Sequence, residues 1–124
     1  MLCIVLSMTL PTENWKAQIR KGYLELCILL LIRAHGRLYG FEILERLSQL
    51  GLDVKEGTLY PLLNRMTTDT VLASVWETEN VKGHPRKFYS LTSAGLQLLD
   101  EMGFEFDRML EIYKSLASKR KGNP

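Results

Sequence analysis

The sequence predicts a mainly α-helical protein with one small β-hairpin. Leucine-rich segments interrupted by single glycines dominate the 124 residues, and 46% of the residues are hydrophobic, which is typical of packed helices. In the second half, two segments rich in β-branched and aromatic residues flank a loop that contains glycine and proline, a pattern that indicates a hairpin. The length is that of one domain with a modest core.

The first helix is expected from Glu13 to Ala34. Thr12 is suited to be its N-cap, and Gly36 lies just beyond its end. The second half of the helix, from Leu24 to Ile32, is almost entirely apolar. We therefore expect this half to cross the middle of the core.

The segment before this helix, residues 1–12, is expected to be a flexible leader. Its opening "MLCIVLSM" has no basic start and is too short for a secretion signal, and Met8 is an alternative to Met1 as the first residue. Cys3 and Cys27 have neither disulfide-like nor metal-like spacing, and Cys27 lies in an apolar run. A reduced thiol and a cytoplasmic location are expected, and no segment approaches the ~20 apolar residues of a membrane span.

Two short helices joined by a tight turn are expected next. The segment "FEILERLSQL" has an amphipathic helical pattern, and Gly51 is suited to the position after its end. Three residues, "LDV", then lead to a helix that starts near Glu56. The apolar residues of this helix recur at helical spacing and define a buried face: Leu59, Leu62, Leu63 and Met66. Two short helices across a tight, glycine-containing connection form a helix-turn-helix.

The other side of the latter helix carries hydrogen-bonding groups on a rigid frame. Proline costs ~3 kcal/mol in a helix interior and far less near the start, so Pro61 indicates a helix start close by. The free N–H groups of such a start suit a phosphate oxygen. The candidate contact residues on this side are Thr58, Tyr60, Asn64 and Arg65. The alternative is an ordinary surface helix with a tolerated proline.

A basic hairpin is expected after the helix pair. The segments "VLASVWET" and "RKFYSLT" are its strands, and residues 79–85 form the loop. The basic residues of the loop and the return strand are expected at one tip: Lys82, His84, Arg86 and Lys87. A helix-turn-helix followed directly by a basic hairpin is the winged-helix plan, here over residues 13–91. For the charges alone, a solvated loop is the alternative.

A long terminal helix is expected over residues 92–118, with Thr92 as its N-cap, followed by a basic flexible tail, residues 119–124. Its apolar residues alternate spacings of three and four, as in a heptad seam: Leu99, Met102, Phe106, Met109, Tyr113 and Leu116. Such a helix is ~40 Å long at 1.5 Å per residue, so a domain this small can cover only part of its length. Part of the seam is expected on the first helix and the remainder on a second copy of the chain, in a twofold dimer.

Four segments occur in this order along the chain: "RKGYLELCILLLI", "YGFEIL", "KEGTLYPLLNRM" and "KGHPRKFYSLTSAG". In order and spacing they resemble the PadR family of bacterial transcriptional regulators, over about Arg20 to Gly95. The resemblance implies a winged-helix DNA-binding domain with a carboxy-terminal dimerisation helix, usually in a repressor. The single final helix is similar to the smaller branch of the family, in which some members bind planar aromatic or drug-like compounds at the dimer interface.

The resemblance also assigns residues to two surfaces. The family's recognition helix is matched by Thr58, Tyr60, Asn64 and Arg65, and its wing by Gly83, Pro85, Arg86, Lys87 and Tyr89. The family usually has a small polar residue and a proline where Lys55 and Glu56 stand, so the helix loses its side-chain cap and presents a carboxylate to approaching phosphates. Thr70 replaces a usual glycine, and because a β-branched residue disfavours positive φ, a different turn is expected there.

The seam residues Met102, Phe106 and Met109, with Trp15 at the start of the first helix expected to pack near them, also suit a flat hydrophobic ligand. Aromatic faces stack on planar compounds, and methionine adapts its shape. Such a ligand at the dimer interface is expected to loosen DNA binding. The alternative is a filled seam in which these residues pack against each other, since nothing polar is placed to orient a guest.

We expect a sequence-specific DNA-binding regulator, a homodimeric repressor that binds a double-stranded operator without a cofactor. The net charge of +2 permits a nucleic-acid partner without requiring one. The alternative is a winged-helix module that binds another protein through its wing and seam. An enzyme is disfavoured, because His35 and His84 lack a paired carboxylate or nucleophile, and no set of metal ligands is visible.

Overall fold

The computed structural model describes residues 12–78 and 84–119. The elements, in chain order, are α1 (Thr12–His35), β1 (Leu38–Tyr39), α2 (Gly40–Gln49), α3 (Glu56–Thr68), β2 (Leu72–Glu77), β3 (Arg86–Leu91) and α4 (Ser93–Ala117). The predicted helix-turn-helix, hairpin and long terminal helix are therefore confirmed. Leader residues 1–11, Lys82 and Gly83 of the hairpin loop, and tail residues 120–124 lie outside the described residues.

The core forms around the second half of α1, as predicted. The buried residues of α1 are Leu24, Leu26, Ile28, Leu29 and Ile32. Helices α2 and α3 each contribute an apolar face to the same cluster, and Tyr89 of β3 and Leu99 of α4 close it. Helix α1 is thus the central support against which α3 and α4 are placed.

A three-stranded antiparallel sheet replaces the simple hairpin expected from the sequence. Strand β3 is central, with β2 paired to it from Leu72↔Leu91 to Glu77↔Arg86 and with β1 on its other edge. Strand β1 has only two residues, too few for an alternating pattern to show in the sequence. It brings the start of α2 against the middle of the hairpin.

Helices α2 and α3 end in the same way despite different residues. In both, the N–H two residues beyond the C-cap donates back across the turn, from Leu52 to the Leu47 carbonyl and from Val71 to the Met66 carbonyl, which is the Schellman arrangement. Gly51 adopts φ +86° at the first turn and Thr70 adopts φ +61° at the second. The expectation of a different turn at Thr70 is therefore wrong, because the threonine accepts the left-handed conformation that glycine would adopt more easily.

Helix α4 starts as predicted and is fastened to the end of α3. The Thr92 hydroxyl accepts a hydrogen bond from the Gly95 N–H at 2.9 Å, as an N-cap, and lies 2.6 Å from the Thr70 carbonyl oxygen. A Cβ at Gly95 would overlap the Val71 carbonyl oxygen. Because Gly95 has no side chain, the first turn of α4 can pack directly against the backbone at Val71, just after the end of α3.

The two outer helices extend beyond the core. Residues 12–23 of α1 are all exposed, and so are residues 107–119 at the end of α4 and after it. Between these ends, Phe106 stacks on Tyr23 with ring centroids 5.7 Å apart. This stack joins α4 to α1 where the two helices leave the core.

Candidate functional site

Helix α3 presents a polar face to solvent and buries Leu59, Leu63 and Met66. The residues exposed along its outer side are Gly57, Thr58, Pro61, Asn64 and Thr68. The helix begins at Glu56, and Lys55 at the N-cap makes no side-chain hydrogen bond to the first turn, as the resemblance implied. Clefts flank this outer side, one toward the sheet and one toward α1.

The cleft toward the sheet, here called the wing cleft, has a volume of about 360 Å³. Asn64 lies on its α3 side, and Lys87 lies on the side of the β2–β3 hairpin, here called the wing. Its lining is mainly aromatic and basic: Tyr39, Gly40, Tyr60, Asn64, Trp76, Pro85, Arg86, Lys87 and Tyr89. The cleft is therefore shaped by α3, by the start of α2 and by the two hairpin strands together.

Tyr60 is fixed at the base of the wing cleft. It is half-buried, and its ring lies against Gly40, where a Cβ would come within 2.5 Å of the phenol oxygen. Burial raises the pKa of Tyr60, and the nearby carboxylate of Glu56 raises it further. Burial likewise raises the pKa of Tyr89, with a smaller contribution from Tyr60. Both phenols are therefore protonated at neutral pH and retain an O–H that can donate a hydrogen bond.

Lys87 is held at the mouth of the wing cleft by aromatic rings. Its Nζ lies 5.7 Å from the Trp76 ring centroid and 5.8 Å from that of Tyr89, within the range of cation–π attraction. Lys87 is half-buried, whereas Trp76 is exposed on the same side of the sheet. The arrangement keeps a positive charge beside α3.

Arg86 faces the opposite side of the hairpin. Its guanidinium carbon lies 4.7 Å from the Tyr39 ring centroid, and Arg37 lies on the same side, 4.0 Å from the Phe88 ring centroid. Consecutive strand residues point to opposite faces, so the two side chains leave β3 on opposite faces, although both residues line the wing cleft. The gathering of the basic residues at one tip stays a prediction. His84 is exposed near the tip.

The second cleft, here called the α1 groove, lies between α1 and α3 and has a volume of about 840 Å³. Thr58 and Arg65 line it, so they are on the side of α3 away from the wing cleft. The Arg65 guanidinium forms an ion pair with Glu25, with Nη2 and Oε2 2.8 Å apart. The four predicted contact residues of α3 are therefore divided between two clefts.

The predicted seam is also divided. Leu99 is only 1% exposed in the single chain, so it packs in the core of the chain itself and its assignment to a dimer interface is wrong. Met102 and Phe106 are half-buried against the same core, and the aromatic partner of Phe106 in the subunit is Tyr23. The remaining seam residues are exposed: Met109, Tyr113 and Leu116. Trp15, at the start of α1, is 61% exposed.

Cys27 is a half-buried free thiol near this stack. Burial raises the pKa of the Cys27 thiol, and a hydrogen bond with Tyr23 offsets part of that rise. The thiol is therefore predominantly protonated at neutral pH. Among residues 12–78 and 84–119, no three or more His, Cys, Asp and Glu side chains come together as a metal site would require.

Sequence reasoning missed several residues of these surfaces. Tyr39 and Trp76 complete the wing cleft, Glu25 holds Arg65, and Tyr23 holds Phe106. The alternation of β2 and β3 placed Trp76 on the face of Lys87 and was a usable signal. The other contacts join elements distant in the chain, and no periodicity reports them.

A helix-turn-helix followed by the β2–β3 hairpin, with β1 completing a three-stranded sheet and the hairpin beside the outward helix, defines a winged-helix protein. None of the described helices has both the length and the apolarity to cross a bilayer. The family model of the PadR-like transcriptional regulators matches residues 28–101. The chain therefore belongs to the PadR-like family of transcriptional regulators.

Individual relatives agree with this membership. A PadR-like transcription factor structure from Bacteroides fragilis is 40% identical, with a TM-score of 0.71 over 83% of this chain and 98% of that chain. A PadR family regulator structure from Eggerthella lenta is 25% identical, with a TM-score of 0.80 over 93% of this chain and 99% of that chain. The transcriptional regulator Rv3488 of Mycobacterium tuberculosis is 38% identical over 55% of this chain and 62% of its own length.

Proposed function

We propose that the protein is a homodimeric, sequence-specific DNA-binding repressor that acts in the cytoplasm on a double-stranded operator. The observation that carries this proposal is the wing cleft, where the polar face of α3 meets a lysine held by aromatic rings. Such a surface supports a binding mode in which α3 lies in the major groove and the basic hairpin contacts the DNA backbone beside it.

The two sides of the wing cleft have different roles. Asn64 is exposed on the outer side of α3, and Tyr60 retains a phenolic donor at its base, so these residues read base edges. Lys87 and Arg86 contact phosphates on the two sides of the hairpin, and they provide affinity that falls as salt rises. His84, exposed near the hairpin tip, adds to the same electrostatic surface. Thr58, at the start of α3, contacts the DNA backbone.

Dimerisation completes the binding surface. The exposed ends of α1 and α4 carry large apolar side chains: Trp15, Ile19, Met109, Ile112, Tyr113 and Leu116. An apolar stripe of this extent is stabilised by burial against a second copy. A twofold dimer then places two α3 helices in successive major grooves, about 34 Å apart.

A planar hydrophobic effector acts at the same interface. Trp15 and Met109 are exposed on the ends of α1 and α4, and Met102 and Phe106 are half-buried against the core, so a dimer brings adaptable and aromatic surfaces together. The effector lowers DNA affinity only if it binds more tightly to a dimer whose α3 helices are wrongly spaced for the operator. By the same coupling, operator DNA lowers the affinity for the effector. Titration with planar dyes, followed by tryptophan fluorescence with and without operator, tests this. Dye binding that ignores Phe106→Ala, or that is unaffected by operator, contradicts it.

The binding of fluorescent duplex DNA over a series of salt concentrations tests the main proposal. A DNA-binding regulator shows affinity that falls linearly in logarithmic coordinates as salt rises. A winged-helix module that binds another protein shows weak and salt-insensitive DNA binding. The latter result contradicts the proposal and favours that second function.

A further inference from the structure

Helix α1 holds α3 at two points. Before α3, the Arg20 guanidinium donates a hydrogen bond to the backbone carbonyl of Asp53 at 2.8 Å. In the last turns of α3, Arg65 forms its 2.8 Å ion pair with Glu25. Arg20 and Glu25 are five positions apart on α1, so one rigid helix contacts both the approach to α3 and its end.

The backbone at Glu25, the α1 partner of Arg65, is held in place by its buried neighbours. Leu24 and Leu26 on either side of Glu25 are buried in the core, so the backbone that carries the carboxylate is fixed. The Glu25 side chain is 26% exposed and that of Arg65 is 53% exposed. The pair is partly screened by solvent, and its effect on stability is small, but its geometry sets where the end of α3 lies.

The position of Arg65 separates it from the surface that reads DNA in the proposed function. It lines the α1 groove, whereas Tyr60 and Asn64 line the wing cleft. A phosphate contact by Arg65 requires breaking the pair with Glu25. That exchange removes the α1 contact at the end of α3, while the other end stays attached through Arg20.

We propose that Glu25 is a positioning residue for operator recognition, and that Arg65 acts through Glu25 rather than on the DNA. The inference rests on the proposed DNA-binding function. The pair orients α3 so that Asn64 and Tyr60 meet the base edges together, and pre-organisation of this kind adds affinity for the cognate site without any new contact. The resemblance to the family assigned Arg65 to DNA contact, and we replace that role with the pairing of Arg65 to Glu25.

The test is a double-mutant cycle with Glu25→Gln, Arg65→Gln and the two combined. The DNA probes are the duplex that wild-type protein enriches from a random pool and a scrambled duplex of the same composition. Each single variant is expected to weaken cognate binding about three-fold, and the double variant is expected to be no weaker than either single one. Scrambled-duplex affinity and the salt dependence of binding are expected to stay unchanged, since no phosphate contact is lost.

Asp100→Asn is the matched control. Asp100 also faces an arginine of another helix, with Arg33 Nη1 3.9 Å from its Oδ1. Asp100→Asn removes one negative charge, as Glu25→Gln does. This variant is expected to bind both duplexes as the wild type does. Arg65→Lys retains the charge and part of the reach to Glu25, so cognate binding between that of wild type and Arg65→Gln is expected.

Two results overturn the inference. If Arg65→Gln lowers the salt slope by about one unit and Glu25→Gln tightens binding, Arg65 is a phosphate contact. If Glu25→Gln binds as Asp100→Asn does, the pair has no positioning role. Wild-type protein that enriches no duplex and binds without salt dependence is a different outcome, which contradicts the proposed function itself and removes the inference with it. Circular dichroism of each variant confirms that the compared proteins are folded.

Discussion

The ring of Tyr60 occupies the space that a side chain at Gly40 would need. An added Cβ would lie 2.5 Å from both Cε1 and the phenol oxygen of Tyr60. Gly40 is the first residue of α2 and Tyr60 lies in the second turn of α3, so this contact sets the distance between the two helices. The glycine after Tyr39 thus serves the wing cleft, through the position it permits for Tyr60.

Gly40→Ala is expected to displace the Tyr60 ring and to weaken cognate DNA binding several-fold. The clashing atoms are at the far end of a side chain that can rotate, so we expect a modest loss of stability, about 1 kcal/mol or less. Binding titration and denaturant unfolding measure the two effects. Gly22→Ala is the control, because a Cβ there meets nothing within 4 Å. A Gly40→Ala protein with wild-type DNA affinity contradicts the role of Tyr60.

Substitutions in the wing are expected to change how binding depends on salt. Arg86→Ala and Lys87→Ala each remove one phosphate contact, so each should lower the slope of log affinity against log salt by about one unit, equally for all sequences. Arg33→Ala, which removes an exposed charge from the end of α1, should leave the slope unchanged. Anisotropy titrations across a salt series provide the measurement. If the wing variants keep the wild-type slope, the wing does not contact the backbone.

Asn64→Ala is expected to affect only the cognate site. A side-chain amide that pairs with a base edge contributes ~1–3 kcal/mol of discrimination, and loss of an exposed residue on α3 has little effect on folding. Competition between cognate and scrambled duplexes measures the difference. Equal weakening on both duplexes would assign Asn64 to the backbone.

Thr70→Gly is expected to stabilise the protein by about 0.5–1 kcal/mol. Thr70 adopts φ +61°, which costs a β-branched residue roughly 1–2 kcal/mol, while the added freedom of glycine in the unfolded chain cancels part of the gain. Thr68→Gly, in the last helical position of α3, should destabilise by a similar amount. Urea unfolding compares the two, and a destabilised Thr70→Gly would show that the turn carries no strain.

Met109→Lys combined with Tyr113→Lys is expected to give monomers. Both side chains are exposed on the end of α4, and two buried lysines at a dimer interface are costly. Phe106 is unsuitable for this test because its contact with Tyr23 belongs to the subunit fold. Light scattering reports the mass, with Glu111→Lys on the same exposed end as the control. A dimeric double variant would place the interface elsewhere.

Local signals predicted the elements of this fold well. Gly51 marked the end of α2 and Thr92 the start of α4, because capping chemistry acts within a few residues. The apolar run from Leu24 to Ile32 identified the helix that crosses the core, apart from Leu30, which is more than a third exposed. The missed strand β1 has too few residues to produce a pattern.

The side on which each functional residue lies was harder to predict. Helical spacing puts Arg65 about 100° around α3 from Asn64, toward the edge that Thr58 shares, but it does not show that Glu25, far away in the chain, pairs with Arg65. Leu99 continues the heptad spacing but faces its own core, because a spacing pattern does not say which partner covers it. Such assignments depend on contacts between elements far apart in the chain.

Selection of duplex DNA from a random-sequence pool by wild-type protein shows directly whether the protein recognises a DNA sequence. We expect enrichment of an inverted repeat whose half-sites have centres about 10 base pairs apart, matching two α3 helices in successive major grooves. Recovery of no enriched sequence, from a folded protein at low salt, would contradict a sequence-specific DNA-binding regulator.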